Sequence, residues 1–302
     1  EARHLSHRYA TQWAIQDINF EISQRGILGL LGSNGAGKST TMNIICGVLN
    51  QTEGEVFING INLRTDPVEA KKYIGFLPQK APLHTEMTVD EYLYHCADIR
   101  LMPKKEIPAA IDRAKEKCGI THFSKRQICN LSGGYQQRVG IAQAIIHDPL
   151  FVILDEPTNG LDPNQITEVR HLIKGIAEDR AVLISTHILP EVQAVCDYIM
   201  MIEHGQKVFE GTINAFNTYM SPSALMTIMH NAPTTEELLK IEGIVRVERL
   251  TKTRIRLHFK GDNAIVGRVV KQAVENQWHL REISLEKESL DKVFAKLSGK
   301  EV

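Results

Sequence analysis

Apolar residues recur along this chain in two rhythms. Short unbroken runs at 27–31, 74–77, 151–154 and 182–184 have the length and continuity of buried strands covered on both faces. Elsewhere the spacing is helical. Met42, Ile45 and Leu49 fall on one side of a helix expected over 39–49. Val139, Ala142, Ile145 and Ile146 do the same for a helix that follows Ser132. Strands alternating with helices predict an α/β fold. Residues 80–130 interrupt the alternation with helical segments near 89–101 and 107–118. Beyond 218 a new order begins, with strands at 224–229, 244–250, 253–259 and 280–285 and helices at 234–240, 264–276 and 289–297. That β-α-β-β-α-β order, closed by a helix, predicts a small α+β ferredoxin-like domain over 219–302. The larger α/β domain then spans 1–218.

The strand at 27–31 leads into Gly32-Ser33-Asn34-Gly35-Ala36-Gly37-Lys38-Ser39-Thr40, which fits the P-loop pattern G-x-x-x-x-G-K-[S/T]. Strand, glycine loop and helix follow in the order that chemistry requires. The glycines let consecutive N–H groups converge on phosphate oxygens, and the helix N-terminus adds partial positive charge. Lys38 would reach the β- and γ-phosphates of ATP, and the Ser39 hydroxyl would ligate Mg²⁺. The run at 151–154 ends in Asp155-Glu156, two carboxylates at the carboxyl end of a strand, where open α/β sheets bind ligands. Asp155 is expected to hold Mg²⁺ through water, and Glu156 to polarise the water that attacks the γ-phosphate. A third element, Leu131-Ser132-Gly133-Gly134, is a second glycine-rich helix entrance. Ser132 is expected to be its N-cap, and its backbone N–H groups to face an anion.

With these motifs in this order, the chain resembles the nucleotide-binding subunits of ATP-binding-cassette (ABC) transporters over roughly residues 1–218. Leu131-Ser132-Gly133-Gly134-Tyr135-Gln136-Gln137-Arg138 resembles the family's signature, with Tyr135 where the family usually has glutamine. Gln79, after Ile74-Gly75-Phe76-Leu77-Pro78, matches the Q-loop glutamine, a further contact to Mg²⁺ and to catalysis. His187, after Ser185-Thr186, matches the switch histidine that holds the attacking water with Glu156. Asp162 matches the D-loop aspartate. Tyr9 matches the aromatic that stacks on adenine, although Ala10 follows it instead of glycine, and Trp13 stands close enough to serve instead. The resemblance implies that two cassettes pair head to tail. Ser132, Gly133 and Gly134 of one would then close the ATP site of the other. Residues 80–130 would be the helical subdomain that meets a membrane permease beside Gln79, with Phe76, Leu83, Tyr92 and Tyr94 as candidates either for that contact or for the core. The C-terminal stretch resembles the extension of export subunits linked with drug or antibiotic efflux and gliding motility.

Composition refines this picture. Net charge is −1, so no nucleic-acid groove is indicated. The five cysteines (46, 96, 118, 129 and 196) lack metal-type spacing and read as reduced thiols of a cytosolic protein. No apolar run approaches the ~20 residues that span a bilayer. A pore would therefore belong to another polypeptide, with this subunit peripheral on its cytoplasmic side. The first residue is Glu1, so an initiator Met is expected to have been removed. One alternative is a soluble ABC ATPase of cluster assembly, repair or translation. Another is a P-loop kinase, which would have no use for Ser132-Gly133-Gly134. In the C-terminal stretch, Arg254, Arg256, His258 and Lys260 share one strand face, either as a contact for an acidic partner or as a solvated face.

Overall fold

The computed structural model describes residues 1–219, 224–261 and 264–286. Its contacts divide into two compact units, Glu1–Ile213 and Asn214–Val302. The division falls a few residues ahead of the boundary expected after residue 218.

The strands of the first unit are β1 (Ala2–Tyr9), β2 (Gln12–Phe20), β3 (Gly26–Leu31), β4 (Glu53–Ile58), β5 (Ile61–Asn62), β6 (Ile74–Leu77), β7 (Phe151–Asp155), β8 (Ala181–Thr186), β9 (Tyr198–Glu203) and β10 (Gln206–Thr212). An antiparallel sheet is ordered β2-β1-β4-β5, and a second sheet is ordered β10-β9-β3-β8-β7-β6. In the second, β6, β7, β8, β3 and β9 run parallel, and β10 returns antiparallel beside β9. Its central strands carry the unbroken apolar runs: Val152, Ile153, Leu154, Val182 and Leu183 are fully buried. Register decides what emerges at the carboxyl edge. Leu31 pairs with Thr186, and Asp155 with Ser185, so the ends of β3, β7 and β8 open side by side.

The helices of this unit are α1 (Lys38–Ile45), α2 (Pro67–Lys71), α3 (Val89–Ile99), α4 (Ile107–Cys118), α5 (Gly133–Ile145), α6 (Pro163–Ala177) and α7 (Leu189–Val195). Helix α1 stops short of the expected residue 49 because Gly47 takes a left-handed turn at φ 64°. Leu49 still packs partly against the core. Helix α3 starts with a capping box between Thr88 and Glu91, and ends before Leu101, whose φ is 58°. Tyr92 is a core residue whose hydroxyl donates to the Pro82 carbonyl at 3.2 Å, so it is not on a contact surface. Tyr94 is exposed.

Beyond α8 (Ile213–Tyr219), the second unit contains β11 (Ala224–Met229), α9 (Thr235–Leu239), β12 (Ile244–Arg249), β13 (Arg254–Phe259), α10 (Ile265–Glu275) and β14 (Leu280–Glu286). Its sheet is antiparallel throughout, ordered β12-β13-β11-β14. Leu225, Ile255, Leu257, Val269 and Trp278 form its core. The helix expected at 289–297 lies outside the described residues. Two of the four basic residues on this face of β13 face carboxylates within the sheet. Arg256 donates to both carboxylate oxygens of Glu286 at 2.6 and 2.8 Å and to Glu248 at 3.2 Å. His258 lies 3.5 Å from Glu248. The solvated reading of this face fits better than an acidic partner.

Candidate functional site

The loop from β3 to α1 is shaped by two glycines with no room for a side chain. A Cβ on Gly32 would lie 2.3 Å from the Ile202 carbonyl oxygen, so the loop can pass against β9 only without one. Gly37 precedes α1 at φ 110°, and a Cβ there would lie 2.5 Å from Ile15. Lys38 is buried, and its Nζ donates to the carbonyls of Gly32 and Ser33 at 2.9 and 3.0 Å. Burial lowers its pKa, while the carboxylates of Glu156, Asp155 and Glu203 favour its charge.

At the end of β7, Asp155 is buried and accepts from the Ser185 hydroxyl. Burial raises its pKa and nearby Glu156 adds to this; hydrogen bonds from Ser185 and Ser39, and the Lys38 charge, act against it. Glu156 follows at φ 47°, a left-handed conformation disfavoured for a side chain of its size. Its N–H donates to the Ser185 carbonyl at 3.2 Å and lies 3.0 Å from the Ser185 hydroxyl oxygen. Three side chains converge on its carboxylate. Gln79 Nε2 donates to Oε2 at 2.9 Å, Asn159 Nδ2 donates to the same oxygen at 3.2 Å, and His187 Nδ1 lies 3.0 Å from Oε1.

These groups edge a cleft of about 620 Å³, a size suited to a small ligand. Of the residues expected to act, Tyr9, Asn34, Gly35, Gly37, Lys38, Ser39, Thr40, Gln79 and Glu156 line it, as does the alternative ring, Trp13. The Ser39 hydroxyl acts to lower the Asp155 pKa, and His187 stands against Glu156. Ala36 is buried, and its carbonyl accepts from Gly205 N at 3.0 Å. At the open end, Tyr9 is 53% exposed, whereas the Arg8 guanidinium already covers Trp13 at 5.6 Å. Ala10 adopts φ 51° in the two-residue turn between β1 and β2. It thus takes the left-handed conformation that glycine would supply, at a cost of about 1–2 kcal/mol.

Ser132, Gly133, Gly134 and Asp162 are not among the lining residues. The signature turn is exposed at Ser132 and Gly133, and a Cβ on Gly133 would meet nothing within 4 Å. Ser132 occupies the N-cap position of α5, yet its side chain makes no capping bond, contrary to expectation. Gly134 packs against α6, where a Cβ would come within 2.7 Å of Gln165. Asp162 caps α6, accepting from the N–H groups of Asn164 and Gln165 at 2.9 and 3.0 Å.

Reading the sequence missed two glutamates. Ser33 donates its hydroxyl to Glu203 Oε1 at 2.9 Å and its N–H to Oε2 at 3.4 Å. Glu203 ends an apolar run at 198–202 just as Asp155 ends the one at 151–154, and that parallel was a usable signal. Glu191, near the start of α7, is buried between Thr158 and Thr186. Its sequence context does not distinguish it from an ordinary surface glutamate.

The residues fit Mg-ATP. Gly35 and Gly37 hold positive φ in the loop, a buried lysine stands behind it, and one costly carboxylate with one hydroxyl suits a cation that takes its other ligands from phosphate and water.

The sequence model of the ABC transporter family matches residues 15–159. Bacitracin transport ATP-binding protein BcrA of Bacillus licheniformis is 31% identical over 98% of this chain and 95% of its own length. Linearmycin resistance ATP-binding protein LnrL of Bacillus subtilis is 26% identical over 99% and 98%. Among solved structures, the dimeric ATP-binding cassette MJ0796, bound to ADP and Pi, matches with a TM-score of 0.63. It is 26% identical, covering 70% of this chain and 97% of its own. These relatives do not favour a soluble, non-transport ATPase. The chain therefore belongs to the ABC transporter family, as an ATPase subunit that binds ATP and uses Mg²⁺.

Proposed function

We propose that two copies of this chain close head to tail around two Mg-ATP and drive a separate integral membrane permease that exports its substrate. The observation that carries the reading is the convergence of Gln79, Asn159 and His187 on Glu156, beside Lys38, Ser39 and Asp155. BcrA and LnrL support export: one is named for bacitracin transport and the other for linearmycin resistance, and each matches across the C-terminal unit as well. Among the described residues no helix is long and apolar enough to cross a membrane. The subunit would then be peripheral, held on the cytoplasmic face by its permease.

Bound Mg²⁺ supplies charge that neutralises the phosphate oxygens. The protein's part is positioning. Amides of Ser33–Thr40 and Lys38 Nζ receive the phosphates, while Ser39, Asp155 and Gln79 hold the cation's side of the site. Glu156 accepts a proton from the attacking water, and His187 fixes that carboxylate and the γ-phosphate. Tyr9 stacks on adenine, Trp13 being already covered by Arg8. Ser132, Gly133 and Gly134 of the partner subunit complete the anion site, with Asp162 at the shared seam.

Glu156→Gln should retain ATP while losing about 10²–10⁴-fold in turnover. With Mg-ATP it should accumulate as a closed dimer. Pulled from native membranes in mild detergent, this variant should bring a polytopic membrane protein in comparable amount. Wild-type turnover would overturn the role of Glu156. Recovery of a soluble dimer alone would overturn the permease.

A further inference from the structure

Behind Glu156 and His187 lies a carboxylate outside the cleft lining. Glu191 is 5% exposed, and both of its oxygens are engaged. Oε2 accepts from Thr186 Oγ1 at 2.7 Å, and Oε1 accepts from Thr158 Oγ1. The two threonines belong to different loops. Thr186 ends β8 directly before His187, and its hydroxyl oxygen also accepts from Ile188 N at 3.0 Å. Thr158 stands two residues after Glu156 and directly before Asn159, which binds the Glu156 carboxylate.

We infer that Glu191 is a positioning residue that clamps these loops together and so holds His187 and Glu156 in contact. The inference rests on the roles proposed above for those two side chains. Burying a carboxylate is costly unless its oxygens are satisfied, and among the described residues two hydroxyls from the two catalytic loops satisfy this one. Glu156 itself is held in a left-handed conformation, which persists only where its surroundings over-determine it. Ser185 fixes the front of that turn through the Glu156 N–H. Glu191, through Thr158, fixes its far side, and through Thr186 it fixes the histidine. Releasing either threonine would let Glu156 relax and the 3.0 Å contact with His187 open. The P-loop does not depend on this clamp, so ATP binding should not change.

Steady-state ATPase kinetics on the full chain test this, with thermal melts for each variant and Glu156→Gln as control. Thr186→Val and Glu191→Ala should each lower kcat by about 10- to 100-fold, as a misplaced catalytic group does, with KM within about threefold. The double variant should be no worse than Glu191→Ala alone. Glu191→Gln keeps the shape and one acceptor, and should restore turnover to within about threefold of wild type. Thr158→Val is the independent check if Glu191→Ala fails to fold, and should also lower kcat selectively. Folded threonine variants with kcat within about twofold of wild type would overturn the clamp. So would a parallel rise in KM, or Glu191→Gln as impaired as alanine. Full turnover by Glu156→Gln would instead remove the roles beneath the inference. An inert Glu156→Gln beside an unaffected Thr186→Val would sink the clamp alone.

Discussion

The P-loop and the signature turn are both glycine-rich entrances to helices in the same unit, yet they are held very differently. In the P-loop, Ser33 is tied to Glu203, Lys38 is bound by two loop carbonyls, and Gly32 and Gly37 press against backbone and core. Among the described residues, the signature turn is anchored from behind. Gly134 packs on Gln165, and Gln137 Nε2 donates to the Pro157 carbonyl at 2.8 Å. At its front, Ser132 makes no capping bond, and among the described residues a Cβ on Gly133 would have no neighbour within 4 Å. A loop satisfied by its own chain can form its site alone. A turn supported only from behind is suited to something that arrives, which agrees with a site shared between subunits.

Alanine at the two glycines breaks this comparison most sharply. Gly37→Ala places a methyl 2.5 Å from Ile15 at φ 110°, and should cost about 1–3 kcal/mol and abolish ATP binding. Gly133→Ala meets nothing within 4 Å in the first turn of α5, where alanine gains up to about 1 kcal/mol over glycine. It should melt no lower than wild type and still bind ATP. Its turnover should nevertheless fall about 10²-fold, as when one anion-binding donor is obstructed. Thermal melts, nucleotide binding and ATPase rates separate the two. Wild-type turnover by Gly133→Ala would remove the functional half of the contrast.

What the sequence could reveal follows the same division. Strand ends were legible because an unbroken apolar run followed by Asp155-Glu156, or by Ser185-Thr186-His187, carries its own context. The order of strands and helices in the C-terminal unit was legible because polar turn residues separate its apolar stretches and β13 alternates buried with more exposed positions, although β11 is buried on both faces. Partnerships formed through the fold were not. Ser33 and Glu203 are 170 positions apart, and Thr158 and Glu191 are 33 apart. The charge on β13 looked free until strand register brought Glu248 and Glu286 beside Arg256. Helix α1 was drawn too long because Gly47 reads equally well as a helical residue or as a left-handed stop.

A smaller effect would sharpen the P-loop half. Glu203→Ala removes the acceptor for both Ser33 donors, and a hydrogen bond to a charged group contributes about 1.5–3 kcal/mol. Part of that should be recovered by water at the cleft edge, leaving KM for ATP raised about tenfold, or about 1.4 kcal/mol. Ser33→Ala keeps its N–H and should raise KM only about threefold. The double variant should match Glu203→Ala, because one interaction is being removed twice. Additive effects in that cycle would mean that Glu203 acts on Lys38 by charge rather than on Ser33.

The smallest effect belongs to the signature's unusual residue. Tyr135 meets the Phe123 ring edge-on at 4.6 Å and the His122 ring at 5.9 Å, and the Arg138 guanidinium lies over its face at 5.3 Å. Arg138 is paired with Glu168 in turn. These contacts hold the start of α5 against residues 121–123 from behind, which is the kind of support the turn's front lacks. Tyr135→Gln should lose about 0.5–1.5 kcal/mol of aromatic contact. That would lower Tm by about 1–6 °C and leave KM for ATP unchanged. If Tm falls and turnover holds, the ring is a brace, and the open front of Ser132 and Gly133 carries the contact between subunits. If turnover falls while Tm holds, the ring itself reaches the partner's site, and the signature turn is less bare than the single chain suggests.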